Sequence, residues 1–598
     1  MSKSFLPTCI EEGKAYYPVF EQFDVIFVTG DPYYDHPLSG IAILSRLLDR
    51  KGYKIGIIAQ PEKEEDYRAC GTPLYFFCIT SGLLDSMLAN YSPMLRKREN
   101  ILVPEHAPVV YTQKIKAQFK QSMTVLGGVE ATIRRFTHFD YKENSLRRGI
   151  LNDSKADLIL HGNAERSLLN LLSRLKESLS QADAISKDAK DKEKHILFQK
   201  IKSSLVLETI NGISFRIRKE EVTPQMRMLP TFEECKSDKK KFSQLTRIQY
   251  LLPDSMFIER CGDGYVRHNR PDHPLTEEEM DYVYESPFTR KIHPESKNLS
   301  FHEEMVEKLK TSVPIGRGCW GSCTFCVIPL VQGKEVARRS VKGIIKEIEM
   351  LYKDGNKVIN DLTLPTLNMY GSYCRLYDER EAVRSPVIDA EITVYNKKKY
   401  CNQQCVGCKE RILRDDLYPL LLEVEKLQKK HDNARLELRS AIRHDIILDQ
   451  PKLFRKIMQF VTRLKIAPEH ISDKVLRQMN KATRRDFERF LEEYKKINQE
   501  QGTHKNLVPY FVAAHPGCTA DDMKLLRKFC EEHELYVNLT QVFTPTPGTA
   551  ATASYYSGED IFTKKEVYVP RSFREKKLQK NILFFGSDED PASGDDSG

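Results

Sequence analysis

Residues 313–329 read VPIGRGCWGSCTFCVIP. Cys319, Cys323 and Cys326 form a CxxxCxxC triplet that follows a short apolar run and a Gly-rich turn. Three thiolates so spaced hold three irons of a cubane and leave the fourth open to an exchangeable ligand, whereas a closed cluster takes four Cys ligands. A structural zinc ribbon would use two CxxC pairs, or Cys with His, to complete its tetrahedron, and no nearby His stands at such a spacing. Zinc and a set of inert buried thiols remain the alternatives at this point. Phe325, just before the third Cys, would cover the metal with an aromatic face.

N-terminal to this triplet the chain reads as strand, helix, strand. DVIFVTG (24–30) is an apolar segment ending in Gly, a helical stretch covers 40–51, and YKIGIIAQP (53–61) is a second buried-strand pattern. MTVLGG (123–128) and KADLILHGNAE (155–165) repeat the theme, so an α/β class with a Rossmann-like parallel sheet is expected over residues 1–175. No GxGxxG follows the first strand, and Gly127–Gly128 reads as a tight strand-to-loop turn more readily than as a ligand cradle. Residues 178–195 and 236–241 are polar and lack an apolar period, which marks 176–304 as a linker and insertion region. C-terminal to the triplet, helices at 345–355, 417–431 and 486–497 alternate with the strand-like runs VTRLKIA (461–467) and LVPYFVAA (507–514). The region 561–598 reads as an extension ending in an acidic tail, whose composition is that of disordered chain.

At 598 residues, 40% hydrophobic and 30% charged, the chain has the composition of a soluble multidomain protein, not of a collagen or a disordered chain. A net charge of +9 spread over that length does not mark a nucleic-acid face, which needs its bases clustered, so nucleic acid is not expected as a partner. The first twenty residues lack a basic-then-apolar signal pattern. The most apolar long stretch, 73–91, is interrupted by Thr80, Ser81 and Asp85, so no membrane association is expected. The 14 cysteines accordingly belong in a reducing, cytoplasmic setting, where clustered thiols bind metal or do redox chemistry.

The triplet with its aromatic Phe325 resembles the CxxxCxΦC signature of the radical SAM superfamily, and the chain is similar more narrowly to its YgiQ-type proteins, a family without an assigned reaction. The segments that carry this likeness include TGDPYYDHPLSG (29–40), VLGGVEATIRR (125–135), DSKADLILHGNAE (153–165), LKIAPEH (464–470), VPYFVAAHPGCT (508–519) and FTPTPGTAATASYYSG (543–558). The resemblance implies a partial (β/α)6 radical SAM barrel over 305–560. It also implies a [4Fe-4S] cluster on Cys319, Cys323 and Cys326, S-adenosylmethionine on the open iron, and an electron donor of flavodoxin or ferredoxin type. The activity implied is generation of a 5′-deoxyadenosyl radical for hydrogen abstraction from a substrate that the sequence does not name. Ser440 and Arg443 are the residues expected near the cofactor, with an ion pair an equal reading for Arg443; no catalytic residue is identified.

The chain departs from that family at DLTLPTLNMYG (361–371), where Thr363 and Leu364 stand in place of two glycines that receive the amino group of S-adenosylmethionine, and at Ala441, where the family more often has Gly. A second group, CNQQCVGC, supplies Cys401, Cys405 and Cys408 and is preceded by Cys374. Four thiols suffice to close a second site within the Cys-rich insertion 374–408, holding either another iron–sulfur cluster or Zn. Three rival readings follow from the same residues. HPGCT and PTPGTAA resemble segments of methylthiotransferases that modify RNA or protein, although the N-terminal region has no Cys triplet. The missing glycines suit a metal-stabilised binding protein without radical activity. A cobalamin-dependent variant is disfavoured because His36 stands in HPLSG instead of DxHxxG.

Overall fold

The computed structural model describes residues 4–185, 207–296, 306–376, 405–537 and 539–585. The polar stretch from residue 186 onward, Cys401 and the acidic tail lie outside the described residues. The chain divides into two compact units, Met1–Pro314 with Leu330–Gly333, and Ile315–Pro329 with Lys334–Gly598.

The first unit is built on an eight-stranded mixed sheet. Five strands run parallel in the order Ile55–Ala59, Val25–Thr29, Phe76–Thr80, Met123–Leu126, Leu158–Leu160. Each has helices on its flanks, so both faces are covered and the strands read as unbroken apolar runs; VIFVT, FFCIT and MTVL are buried at every position. Alternate side chains supply the two faces. Val25 and Phe27 join one core cluster, Ile26 and Val28 the other. Gly128, at φ +82, makes the turn from the fourth strand into the short helix Gly128–Ile133, and a Cβ there would stand 2.3 Å from Thr80 Oγ1.

The sheet does not stop near residue 175. Ile213–Ile217 pairs antiparallel with Leu158–Leu160, followed by Gly264–His268 and, at the edge, Phe257–Cys261. Much of the region read as linker and insertion is therefore core structure. Short antiparallel strands such as ISFRI and GYVRH, each broken by Arg, carry too little apolar pattern to stand out among polar neighbours. The basic run at 239–241 likewise opens the helix Lys239–Leu251, capped by Asp238 and burying Phe242, Leu245 and Ile248.

In the second unit helices alternate with short parallel strands. Val341–Lys353 is capped by the Ser340 hydroxyl, which accepts from the Gly343 N–H, and the chain leaves it through Gly355 at φ +88. Helices Leu417–Gln428 and Pro451–Phe460 precede a three-stranded parallel sheet of Arg463–Glu469, Asn506–Ala513 and Leu539–Val542, whose crossovers are the helices Arg484–Glu500 and Ala520–Glu532. The pairing register of the first two strands shifts between Ile466 and Glu469, and Glu469 itself lies at φ +69. The whole is an α/β fold with one large mixed sheet. Among the described residues no helix is long and apolar enough to cross a membrane.

Candidate metal centre

The CxxxCxxC loop begins where Gly316–Arg317 pairs antiparallel with Ala337–Arg338. Gly316 is required there, since a Cβ would lie 2.7 Å from the Ala337 carbonyl and 3.1 Å from Leu364 Cδ1. Gly318, at φ +92, turns the chain into the loop. Side chains from elsewhere in the unit then fix the loop. Trp320 is buried and its indole N–H donates to Ser372 Oγ at 2.8 Å. Asn480 donates to the Ser322 carbonyl at 2.9 Å, and the Thr324 hydroxyl donates to the Gln478 carbonyl at 2.8 Å.

Inside this frame two of the thiols lie around Gly321. A Cβ on Gly321 would stand 3.0 Å from Arg443 Nη1, 3.4 Å from Cys319 Sγ and 3.9 Å from Cys323 Sγ, so the guanidinium packs close on the loop beside two thiols where only glycine fits without a shift. The Cys326 N–H donates to the Cys323 carbonyl at 3.1 Å, closing the turn that brings the third Cys back. Burial raises the Cys323 thiol, an effect that Lys481 and Arg443 partly offset, and burial together with Cys323 pushes Cys326 up to about 12. Among the described residues no three His, Cys, Asp or Glu side chains already stand as a preformed ion site. The donor set is nevertheless that of a soft, thiolate-bound metal: three thiols on one fixed loop with cations nearby. Phe325 packs edge-to-face on His515, with ring centroids 5.8 Å apart.

Ser440 and Arg443 both lie in this unit, each already engaged. Ser440 donates its hydroxyl to Asp361 Oδ2 at 2.6 Å, while the Arg439 and Ser440 N–H groups donate to Asp361 Oδ1 at 2.8 and 3.0 Å. Burial raises the Asp361 carboxyl, against the lowering effect of these bonds. Arg443 forms a fork with Asp445 at 2.9 and 2.8 Å. Burial alone would lift the Asp445 carboxyl, but the guanidinium holds it well below the usual range. The ion pair expected as one reading of Arg443 is present, and the same side chain reaches the thiols.

The Thr363–Leu364 departure divides into two. Leu364 is buried and packs toward Gly316, so it is a core residue of this unit. Thr363 keeps its backbone engaged through the Ile315 N–H at 3.1 Å, yet its hydroxyl is buried with no hydrogen-bond partner. The sequence pattern did not single out Gly321 or the pair Glu469–Lys481, whose atoms approach to 3.7 Å and whose charges both act on Cys323. Glu469 stood in the quoted segment LKIAPEH, but only its left-handed backbone shows that the strand bends there.

Cys374 lies on the strand Tyr373–Cys374, and Cys405 and Cys408 shortly precede its partner strand Arg411–Ile412. Tyr373–Cys374 pairs antiparallel with Arg411–Ile412, so Cys374 faces Arg411 across the ladder. Arg411 forks Glu335 at 2.8 and 2.8 Å and approaches Cys405 Sγ at 3.5 Å. Glu335 also accepts from the Cys374 N–H at 3.2 Å, and the Cys408 N–H donates to the Cys405 carbonyl at 3.2 Å. The Arg411 guanidinium lies 5.5 Å from the centre of the Trp320 ring, next in sequence to Cys319.

A family described as radical SAM N-terminal matches residues 5–312. A UPF0313 protein of Methanocaldococcus jannaschii is 35% identical, covering 98% of this chain and 93% of the relative. One from Geobacter sulfurreducens is 34% identical, covering 97% and 92%. Among solved structures, the radical S-adenosylmethionine methyltransferase TsrM of Kitasatospora setae, with cobalamin and a [4Fe-4S] cluster bound, aligns over 89% of this chain and 74% of its own at 13% identity and a TM-score of 0.49. Coproporphyrinogen III oxidase (HemN) of Escherichia coli aligns over 28% and 37% at 15% identity and a TM-score of 0.22. The chain belongs to the radical SAM superfamily, and within it to the group of UPF0313 proteins.

Proposed function

We propose that the protein is a radical SAM enzyme whose Cys319, Cys323 and Cys326 hold a [4Fe-4S] cluster with one iron open to S-adenosylmethionine. When bound, the cluster supplies the electron that cleaves the sulfonium to methionine and a 5′-deoxyadenosyl radical, which takes a hydrogen atom from the substrate. The observation that carries this reading is the placement of Cys319 and Cys323 on one loop around Gly321 with the Arg443 guanidinium beside them.

The chain's own residues have separate tasks. Gly321 lets the Arg443 guanidinium pack on the thiol loop, and Arg443, locked by Asp445, keeps a positive charge beside the thiolates. Ser440 donates to Asp361 and so positions the loop, and its hydroxyl oxygen keeps acceptor capacity toward the cofactor. The unpartnered Thr363 hydroxyl gives the amino group of S-adenosylmethionine a hydrogen-bond acceptor in place of the glycine backbone. Cys374, Cys405 and Cys408, with Cys401, close a second site for an iron–sulfur cluster or Zn. The parallel strands Arg463–Glu469, Asn506–Ala513 and Leu539–Val542 support a partial (β/α)6 barrel over about residues 305–560. The reading further requires a reducing cytoplasm and a flavodoxin- or ferredoxin-like donor.

The test is anaerobic reconstitution of the full chain and of Cys319→Ala, Cys323→Ala and Cys326→Ala. Each variant should lose the electron paramagnetic resonance signal of the reduced open-iron cluster and all formation of 5′-deoxyadenosine. Full cleavage by any of the three would place the cofactor elsewhere.

A further inference from the structure

In the first unit five buried polar atoms without a hydrogen-bond partner belong to one corner: Arg135 Nε, Thr137 Oγ1, His161 Nε2, Glu259 Oε2 and His268 Nε2. Thr132 and its neighbours join them. Arg135 Nη1 donates to the Thr132 carbonyl at 2.5 Å, and the Thr132 hydroxyl accepts from the Gly162 N–H at 3.2 Å, one residue beyond His161. The Phe136 ring lies between the Arg135 guanidinium, 4.5 Å from its centre, and the His268 ring, 4.3 Å away. The second nitrogen of His161 is taken by the backbone of Asn269, and its ring lies within the field of both Arg135 and His268.

Among the described residues no carboxylate pairs with the Arg135 guanidinium. Glu259 is the carboxylate of this corner; its Oε1 accepts from the Thr137 N–H at 2.8 Å and its Oε2 faces His268 Nε2 at 3.7 Å without a hydrogen bond. Burial lowers the Arg135 guanidinium to about 10. A desolvated cation and unmade buried hydrogen bonds each cost stability that a ligand would recover. With Nη1 engaged on Thr132, the edge left is Nε–Nη2, the side-on fork that matches the two oxygens of a carboxylate or phosphoryl group. The location fits as well: Thr132–Thr137 and His161 follow the strands Met123–Leu126 and Leu158–Leu160, at the carboxyl ends where open α/β sheets bind ligands.

We propose that this corner of the first unit binds a small ligand through an oxyanion, carboxylate or phosphoryl, held in a fork by the Nε–Nη2 edge of Arg135, with a hydroxyl of the ligand donating to His161 Nε2. The residues named all belong to the first unit, so the proposal stands or falls apart from the radical chemistry. It assigns the first unit a binding task of its own, recognition of an anionic small molecule.

The test is thermal melting of the full chain titrated with inorganic phosphate or with acetate, at ionic strength held constant with chloride. A saturable rise in melting temperature is expected with one of the two; the probe that gives it identifies the group as phosphoryl or carboxyl. Arg135→Gln should abolish the rise while keeping a cooperative melt in chloride, because the loss of its bond to the Thr132 carbonyl is offset by removal of a buried charge with no ion pair among the described residues. Arg135→Lys, which keeps the charge but not the fork, should weaken binding about tenfold to a hundredfold, the worth of one charge-assisted pair. If Arg135→Gln fails to give a cooperative melt, Arg135→Lys decides. No saturable rise with either probe, an undiminished rise in Arg135→Gln, or unchanged affinity in Arg135→Lys would overturn the proposal.

Discussion

Gly321→Ala is the smallest change that probes the packing of Arg443 on the thiol loop of the proposed metal centre. The added Cβ would stand 3.0 Å from Arg443 Nη1, and reaching the 3.4 Å of ordinary contact needs a shift of about 0.4 Å. Neither neighbour yields easily. Arg443 is pinned by its fork to Asp445 at 2.9 and 2.8 Å and by its N–H on Asn368 Oδ1 at 2.9 Å, while Cys319 Sγ sits 3.4 Å off on the other side. Overpacking of this kind costs about 1–3 kcal/mol, and the stiffer unfolded chain returns roughly 0.4–1 kcal/mol of it. A net loss of about 1–2 kcal/mol follows, a fall of roughly 2–4 °C in melting temperature for a unit of this size. The assay is calorimetric melting of the apo chain beside iron content after anaerobic reconstitution; both should fall. Adding Arg443→Lys, which removes the clashing Nη1, should make the double variant less damaged than the two single losses combined. A variant that melts and loads iron like the parent would show that the thiols do not close on this point.

Two further outcomes concern the first unit and the second thiol set. Burial and the neighbouring Asp85 raise Glu130 to about 7, against Arg134, so between pH 4.5 and 7 the folded chain keeps a proton that the unfolded chain releases. Stability should therefore fall as pH rises through that window, by at most about 1.4 kcal/mol per pH unit for one proton, and Glu130→Gln should flatten the slope in urea melts; a slope unchanged in that variant would assign it to another group. Joint replacement of Cys405 and Cys408 by Ala should release one metal centre while the open-iron signal survives, as read by metal analysis and electron paramagnetic resonance; an unchanged metal content would make these thiols structural.

What could be read from the sequence follows the range of the forces involved. Parallel strands buried on both faces announce themselves as apolar runs, so DVIFVTG and MTVLGG were legible as strands. The central strand Phe76–Thr80 was not, because it sits inside a longer apolar stretch that invites comparison with a membrane span before comparison with a strand. The antiparallel half of the sheet was hidden by its arginines: Arg216 is exposed within ISFRI, and its guanidinium caps the Ala156 carbonyl at 2.6 Å. At the site, the Cys spacing is local and was legible. The roles of Gly321 and Arg135 depend on which side chains arrive from elsewhere: a guanidinium against Gly321, and no carboxylate against Arg135. Spacing along the chain does not encode those meetings.

The way the first unit is fastened bears on how it is made. Asp35 is buried against Arg46 and also accepts the Thr289 N–H at 2.8 Å, while Arg290 reaches the His36 ring at 3.1 Å and the carbonyls of Lys310 and Ser312 at 2.8 and 3.0 Å. The loop after the first strand is thus completed by residues more than 250 positions later in the chain. At a synthesis rate of roughly 5–20 residues per second, about 15–60 s separate the emergence of the first strand from that of its last partners. For that interval a run of parallel strands, apolar on both faces, exists on the ribosome without the residues that complete the loop after its first strand. Native pairing at such sequence separation is slow to form. The cell therefore meets this protein first as an unfinished sheet, a client for chaperones that shield apolar surface, and truncation anywhere before residue 312 should yield an insoluble chain instead of a smaller domain.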